Sequence, residues 1–159
     1  IHQHGLERVA VVDFDVHHGN GTEDILANDA HVLMVSFFQH PFYPYSGTEK
    51  HASNMVNIPV PAYNRGKEVR DWVENCWVPQ LEEFKPEMIF ISAGFDAHRE
   101  DDMGQMGLTE QDYAWITQRI CDIAKRHAKG RIVSCLEGGY ALSALGRSVE
   151  AHLRVLADL

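Results

Sequence analysis

The stretch RVAVVDFDVHHGNGT, residues 8–22, decides the fold class. Its first half, 8–14, is rich in valine and too short for a helix, the pattern of a strand buried on both faces. Four further runs repeat that signal, at 32–36 (VLMVS), 55–58, 88–92 (MIFIS) and 131–136 (RIVSCL). Helical patterns lie between them. One follows the glycine-rich turn over 22–28, with Thr22 as its N-cap. Another, over 65–84, carries Val69, Val73, Trp77 and Leu81 at every fourth position as one apolar stripe. A third, over 109–127, opens with T-E-Q-D, a capping-box pattern, and puts Ile116, Ile120 and Ile123 on one side. The last, over 145–159, places Leu145, Val149, Leu153 and Leu156 on a common face. Strands that alternate with helices in this way imply an α/β domain built on a mostly parallel sheet.

At 159 residues, with no internal repeat or linker-like tract, the chain reads as a single domain over 1–159. No apolar stretch approaches the ~18–20 residues needed to cross a bilayer, so no membrane association is expected. The first residues lack the basic and apolar regions of a secretory signal. They also lack an initial Met, which fits a processed chain or a piece of a longer one. Three cysteines, Cys76, Cys121 and Cys135, are too widely spaced for a disulfide framework or a thiolate zinc site, and a reducing cytoplasm is the expected compartment. The formal charge of −9 argues against nucleic-acid binding and mildly favours cationic ligands.

In parallel sheets ligands collect beyond the carboxyl ends of the strands. Just past the apolar runs stand DFDVHHGNG, FFQHPFYPYSG, AGFDAHRED and EGGY. Alternation puts Asp13, Asp15 and His17 on one face of the extended chain and Phe14, Val16 and His18 on the other. Carboxylates and imidazoles ligate divalent ions, zinc included, although a D-x-H alone is often only a cap or a solvated turn. A second strand end contributes Asp96, which by itself would read as a cap or a partner of Arg99. Asp15, His17 and Asp96 together make three protein ligands with a position left open, the pattern of a catalytic site rather than a structural one. At 137–140, Gly138 and Gly139 let the backbone come close to a ligand and present Tyr140, whose phenol can donate to a developing oxyanion. A bare GGY would otherwise be a turn with a packed tyrosine.

DFDVHHGNGT, SAGFDAH and LEGGY, in that order and each just past a strand, resemble the zinc-dependent histone deacetylase superfamily, nearest its class II members and the bacterial histone-deacetylase-like and acetylpolyamine amidohydrolases. The resemblance runs through essentially the whole chain. It implies a three-layer α/β/α fold of the arginase/deacetylase type, here incomplete. It implies zinc on Asp15, His17 and Asp96, with Tyr140 supplying the transition-state hydroxyl. Asp13 resembles the carboxylate that orients a catalytic histidine and helps bind a structural potassium ion, with Asp15, His17, Ser36 and Phe37 as further ligands. A second monovalent site would use the carbonyls of Leu26, Asp29 and Val32. Tyr45, in PFYPYSG, resembles a wall of the tunnel that takes an acyl-lysine, with Gly138 and Gly139 also lining it. Asn20, where other branches have aspartate, is typical of class II. Tyr140 is kept, whereas some vertebrate class II members have histidine there.

The family's general base and acid are a tandem histidine pair that precedes the DxDxHH segment. His2 and His4 are not adjacent and lie before the first strand, so they do not match it, and alternation turns His18 away from the metal face. The chain therefore reads as the carboxy-terminal part of a deacetylase domain, able to bind zinc but weak or inactive alone. A sheet cut at an internal strand would leave an apolar edge, and self-association through that edge, or pairing with the missing segment, is the expected relief. The substrate implied is acetylated lysine or an acetylated polyamine. Two rivals stand beside this reading. DAHRED at 96–101 is similar to the manganese motif of the arginase-type ureohydrolases, where His98 would be a ligand. The other is a truncated, non-catalytic metal-binding or assembly module.

Overall fold

The valine-rich run after Arg8 becomes the central strand of a sheet in which every pairing is parallel. The computed structural model describes all residues except His2, Lys50 and His51, so the expectation placed on His2 lies outside the described residues. In chain order the elements are β1 (Val9–Asp13), α1 (Asn20–Leu26), β2 (Val32–Gln39), β3 (Met55–Val60), α2 (Gly66–Trp72), a π-helical segment (Val73–Trp77), α3 (Val78–Phe84), β4 (Met88–Ala93), α4 (Glu110–His127), β5 (Ile132–Leu136) and α5 (Leu142–Leu156). The strand order is β3-β2-β1-β4-β5. From β1 the chain builds outward on one side through β2 and β3, then crosses to the other side for β4 and β5. The carboxyl ends of β1 and β4 thus flank a topological switch point, where open α/β sheets form their crevice. Register sets Asp13 between Ser36 and Ser92.

One face of the sheet carries most of the core. Ala10, Val12, Ile89 and Ile91 pack with Trp77, Ile116 and Ile120, and Phe37 stacks on Trp77 with ring centroids 5.4 Å apart. The other face buries Val11, Val32, Met34 and Met55 beneath Ile1, Leu26 and Ala27. Coverage there is thin. Phe90 and Val133 are exposed, and an apolar groove of about 750 Å³ runs along Ile1, Leu6, Val11, Met88 and Phe90. Among the described residues no strand pairs with the outer edge of β5, and Leu136 on that strand is also exposed.

Three helices differ from their expected form. The first starts at Asn20, two residues before the expected Thr22, and is capped by Gly19, whose carbonyl accepts the Glu23 N–H at 3.0 Å; Gly21, which suggests a turn in sequence, sits inside the first turn. The helix expected over 65–84 is interrupted by the π segment, where the Val78 N–H bonds to the Val73 carbonyl, five residues back. Two features of the sequence account for this. Pro79 has no N–H to give and its ring disfavours the α-helical carbonyl at Asn75. The stripe spacing of four is also wider than 3.6, and the wider turn keeps Val69, Val73, Trp77 and Leu81 all buried. In α5 the buried face is Ala144, Ser148 and His152, while Leu153, expected on the apolar face, is 54% exposed. His152 goes inward because both ring nitrogens find hydroxyls there, Thr117 at 2.7 Å and Ser134 at 2.9 Å. The α4 start is as read, with Thr109 and Asp112 forming the capping box.

Candidate metal centre

Alternation survives past the end of β1. Phe14 and Val16 enter the main core, and Asp15 and His17 turn to the crevice. The Phe14 N–H donates to the Ser92 carbonyl at 3.2 Å and the Gln39 N–H to the Val16 carbonyl at 2.8 Å, so neighbouring strands tie the segment to the sheet as the chain bends at Val16 and His17. Asp96 arrives on the loop after β4, fully buried, with its Oδ1 accepting the Val16 N–H at 2.9 Å. Asp15, His17 and Asp96 offer ligand atoms that all lie within 4.8 Å of one another, and among the described residues they form the one such group of His, Cys, Asp and Glu.

Two glycines permit the convergence. A Cβ on Gly94 would lie 2.2 Å from Asp15 Oδ2, and one on Gly138 would lie 2.0 Å from Asp96 Oδ2. The Gly138 N–H instead donates to Asp15 Oδ2 at 2.9 Å. His17 Nδ1 is 2.9 Å from Asp15 Oδ1 and 3.2 Å from Asp96 Oδ2. The hydrogen bonds of the two carboxylates raise the imidazole to about 10. Burial would raise Asp15, but the ring and N–H of His17 and the Gly138 N–H hold it below its ordinary value. Burial raises Asp96, against the pull of His17. Asp96 Oδ2 is buried and faces His17 Nδ1 at 3.2 Å. Two carboxylates that converge on one imidazole nitrogen, where a divalent ion would take the place of the shared proton, are a donor set suited to such an ion.

The sequence matches the family described as "Histone deacetylase domain" over residues 1–156. The chain belongs to that family. It is 41% identical to Type-2 histone deacetylase 2 of Dictyostelium discoideum over 97% of this chain and 10% of that protein. To a probable deacetylase of Archaeoglobus fulgidus it is 40% identical, over 87% of this chain and 40% of the relative. Among solved structures, the HD domain of HDA15 matches with a TM-score of 0.90 and 34% identity, covering 97% of this chain and 46% of that one. The histone deacetylase Clr3 matches with a TM-score of 0.90 and 32% identity, covering 99% of this chain and 28% of that one. The deacetylase-domain chain thus spans less than half the length of these relatives.

Around the ligands the deacetylase domain places its other expected residues unevenly. Asp13 is buried beside them, accepting the Asp15 N–H at 3.0 Å, and burial raises its carboxyl to about 8. It lines a cavity of about 220 Å³ with Asp15, His17, Ser92 and Glu137. Ser36, its neighbour across the ladder, points its hydroxyl at Asn57, 3.1 Å away. The carbonyls of Leu26, Asp29 and Val32 do converge, and their common partner is the side-chain amide of Asn54, at 2.9, 3.1 and 3.2 Å. Tyr140 is 56% exposed, and burial, then the charges of Asp96 and Asp15, raise its phenol above the ordinary value. Tyr45 is 72% exposed on its loop. Phe42, on the same loop, stacks on His17 at 5.6 Å, and Tyr43 meets it edge-on.

His18 is turned away, as alternation requires. It is buried between Ser46 Oγ at 2.8 Å and Glu23 Oε2 at 2.9 Å and packs on Phe38, which pins the aromatic loop to α1. His98 is buried outside the ligand group: its Nδ1 accepts the Glu100 N–H at 3.1 Å, and its Nε2 faces Glu110 at 3.6 Å. Phe42 and the anchor of the Tyr140 turn, Asp101, were not visible in the pattern, because both depend on how loops cross rather than on period.

Proposed function

We propose that this chain carries the metal centre of a zinc-dependent hydrolase of acyl amides, acting on acetylated lysine or an acetylated polyamine. The observation that carries the reading is the Asp15, His17 and Asp96 group, whose ligand atoms all lie within 4.8 Å of one another. These three residues would hold the ion. When bound, the ion supplies Lewis acidity, polarising an acyl carbonyl and acidifying a water. The chain's own groups do the rest. Tyr140, kept neutral by its raised phenol, donates its O–H to the carbonyl oxygen as negative charge develops. Asp15 and Asp96, oriented by the N–H groups of Gly138 and Val16, keep the ligand set in place. Phe42 on His17 shields that side from water.

The proton acceptor for the water is assigned to a histidine held by Asp13, and no described histidine fills that role: His18 is occupied elsewhere, and His4 lines the groove by Val9 and Met88, at the opposite ends of the strands. The 159 residues alone are therefore proposed to bind metal and to turn over weakly. Asp13, Asp15, His17, Ser36 and Phe37, gathered at the adjoining ends of β1 and β2, are proposed to hold a structural potassium ion. Gly138 and Gly139 are proposed to line the acyl-lysine tunnel beside Tyr45. Self-association through the outer edge of β5 belongs to the same proposal, and a monomeric mass in light scattering at micromolar concentration counts against it. Among the described residues no helix is long and apolar enough to cross a membrane, and a reducing compartment fits the three unpaired cysteines.

The test is hydrolysis of an acetyl-lysine peptide and of acetylated polyamines by the zinc-loaded natural protein. Turnover should fall about 10²–10³-fold in Tyr140→Phe. Metal without turnover in the isolated residues agrees with the reading; neither metal nor turnover in the natural protein refutes it.

A further inference from the structure

Tyr140 sits on a turn whose shape is set from elsewhere. Gly139 before it has φ of +144°, in the region that favours glycine. The next helix, α5, has Ala141 as its N-cap and no side-chain cap of its own. The missing acceptor comes from the loop after β4. Asp101 Oδ2 accepts the N–H of Tyr140 at 2.7 Å and that of Ala141 at 2.9 Å, while Oδ1 accepts the N–H of Met103 at 2.9 Å. The carboxylate is 5% exposed, and no cation among the described residues is paired with it. Three backbone donors alone satisfy a buried charge, two of them from the tyrosine's turn, at a helix entry where negative charge is favoured.

The same loop delivers the ligand Asp96 five residues earlier. Its backbone is fixed between the two carboxylates: the Asp101 N–H donates to the His98 carbonyl, the Arg99 N–H to the Leu108 carbonyl and the Leu108 N–H to the Ala97 carbonyl. Gly104 is closed in as well, since a Cβ there would lie 2.7 Å from the Asp96 carbonyl. One rigid loop thus holds a metal ligand at one end and the tyrosine's peptide at the other.

We infer that Asp101 is a positioning residue that fixes Tyr140 relative to the metal ligands through two backbone hydrogen bonds. The inference rests on the reading of Tyr140 as the oxyanion donor. A side chain of similar size that cannot accept all three bonds should let the turn move, and displacement of a reacting group by about 1 Å costs up to 10²-fold in rate.

The experiment uses the complete natural chain, zinc-loaded, with Asp101→Asn, Asp101→Ala, Tyr140→Phe and the Asp101→Asn/Tyr140→Phe double variant. The readouts are kcat, KM, zinc content and amide hydrogen exchange at Tyr140 and Ala141. Asp101→Asn should lower kcat by about tenfold or more, with KM and zinc content kept. Those two amides should exchange faster than in the parent. In the Tyr140→Phe background the same change should cost less than about twofold, because the group it positions is gone. Where Asp101→Ala does not accumulate as folded protein, Asp101→Asn, which keeps one acceptor oxygen, carries the test. Unchanged exchange at both amides, an equal loss of kcat in the two backgrounds, or loss of zinc from Asp101→Asn overturns the inference. Parent-like kcat in Tyr140→Phe, with exchange still dependent on Asp101, shows instead that the oxyanion reading is the part that fails.

Discussion

Gly138→Ala adds one methyl group at the point where the backbone comes nearest the metal ligands. The new Cβ would lie 2.0 Å from Asp96 Oδ2 and 2.6 Å from Asp15 Oδ2, against ordinary contact from 3.4 Å. The backbone cannot swing out to relieve this, because its N–H is bonded to Asp15 at 2.9 Å and its carbonyl to the Phe95 N–H at 2.7 Å. Gly138 does not lie in the left-handed region, so alanine brings no conformational strain and the effect is steric. A carboxylate must move by roughly 1 Å, and overpacking of this kind costs about 1–3 kcal/mol of stability. Disturbing the groups that orient ligands lowers metal affinity by about 10–100-fold, and moving the ligands themselves should reach the upper end or beyond. The assay is zinc competition against a chromophoric chelator at neutral pH, with urea unfolding of the metal-free protein. Gly146→Ala is the control, since its Cβ meets nothing within 4 Å inside α5, and it should stabilise by about 0.5–1 kcal/mol. Zinc affinity in Gly138→Ala within about threefold of the parent would refute the close approach on which the site is built.

Burial lowers His152 to about 4 from 6.5. The unfolded chain therefore binds the extra proton first, and stability should fall as pH drops from about 6.5 through 4, by roughly 3 kcal/mol in all, in urea titrations of the parent compared with His152→Gln. Trp77→Ala, which empties the space against Phe37 and under the π segment, should cost about 3–5 kcal/mol in the same assay. Asn54→Ala removes the donor shared by three converging carbonyls, two of which keep a backbone N–H, and takes the acceptor from the Asn28 N–H. It should cost about 1–3 kcal/mol and speed amide exchange at Asn28, whereas unchanged exchange there would mean that the amide does not organise the loop.

The parts of this molecule that follow from period are legible in its sequence. A buried central strand, the alternation of Asp15 and His17 with Phe14 and Val16, and the recurrence of polar strand ends need only the geometry of extended chains and parallel sheets. Asp96 could be joined to them because strand ends share one edge of the sheet. Residues that act across loops could not be found that way. Phe42 covers His17 from a segment broken by Pro41 and Pro44, where no period applies. Asp101 binds a turn about forty residues away. The inward face of α5 was hidden because Ser148 and His152 are polar, and hydrophobicity points to Leu153 instead; only the hydroxyls of Thr117 and Ser134 make that burial favourable. His98, two residues from Asp96, shares its motif but is held by the Glu100 peptide instead.

The most direct test of the central claim is the number of metal ions each chain holds. Metal analysis after zinc loading and desalting should give one zinc per chain, lost in Asp96→Asn while the circular dichroism of the fold is kept. Two zinc ions per chain, or one that persists in Asp96→Asn, would contradict a single zinc centre made by Asp15, His17 and Asp96.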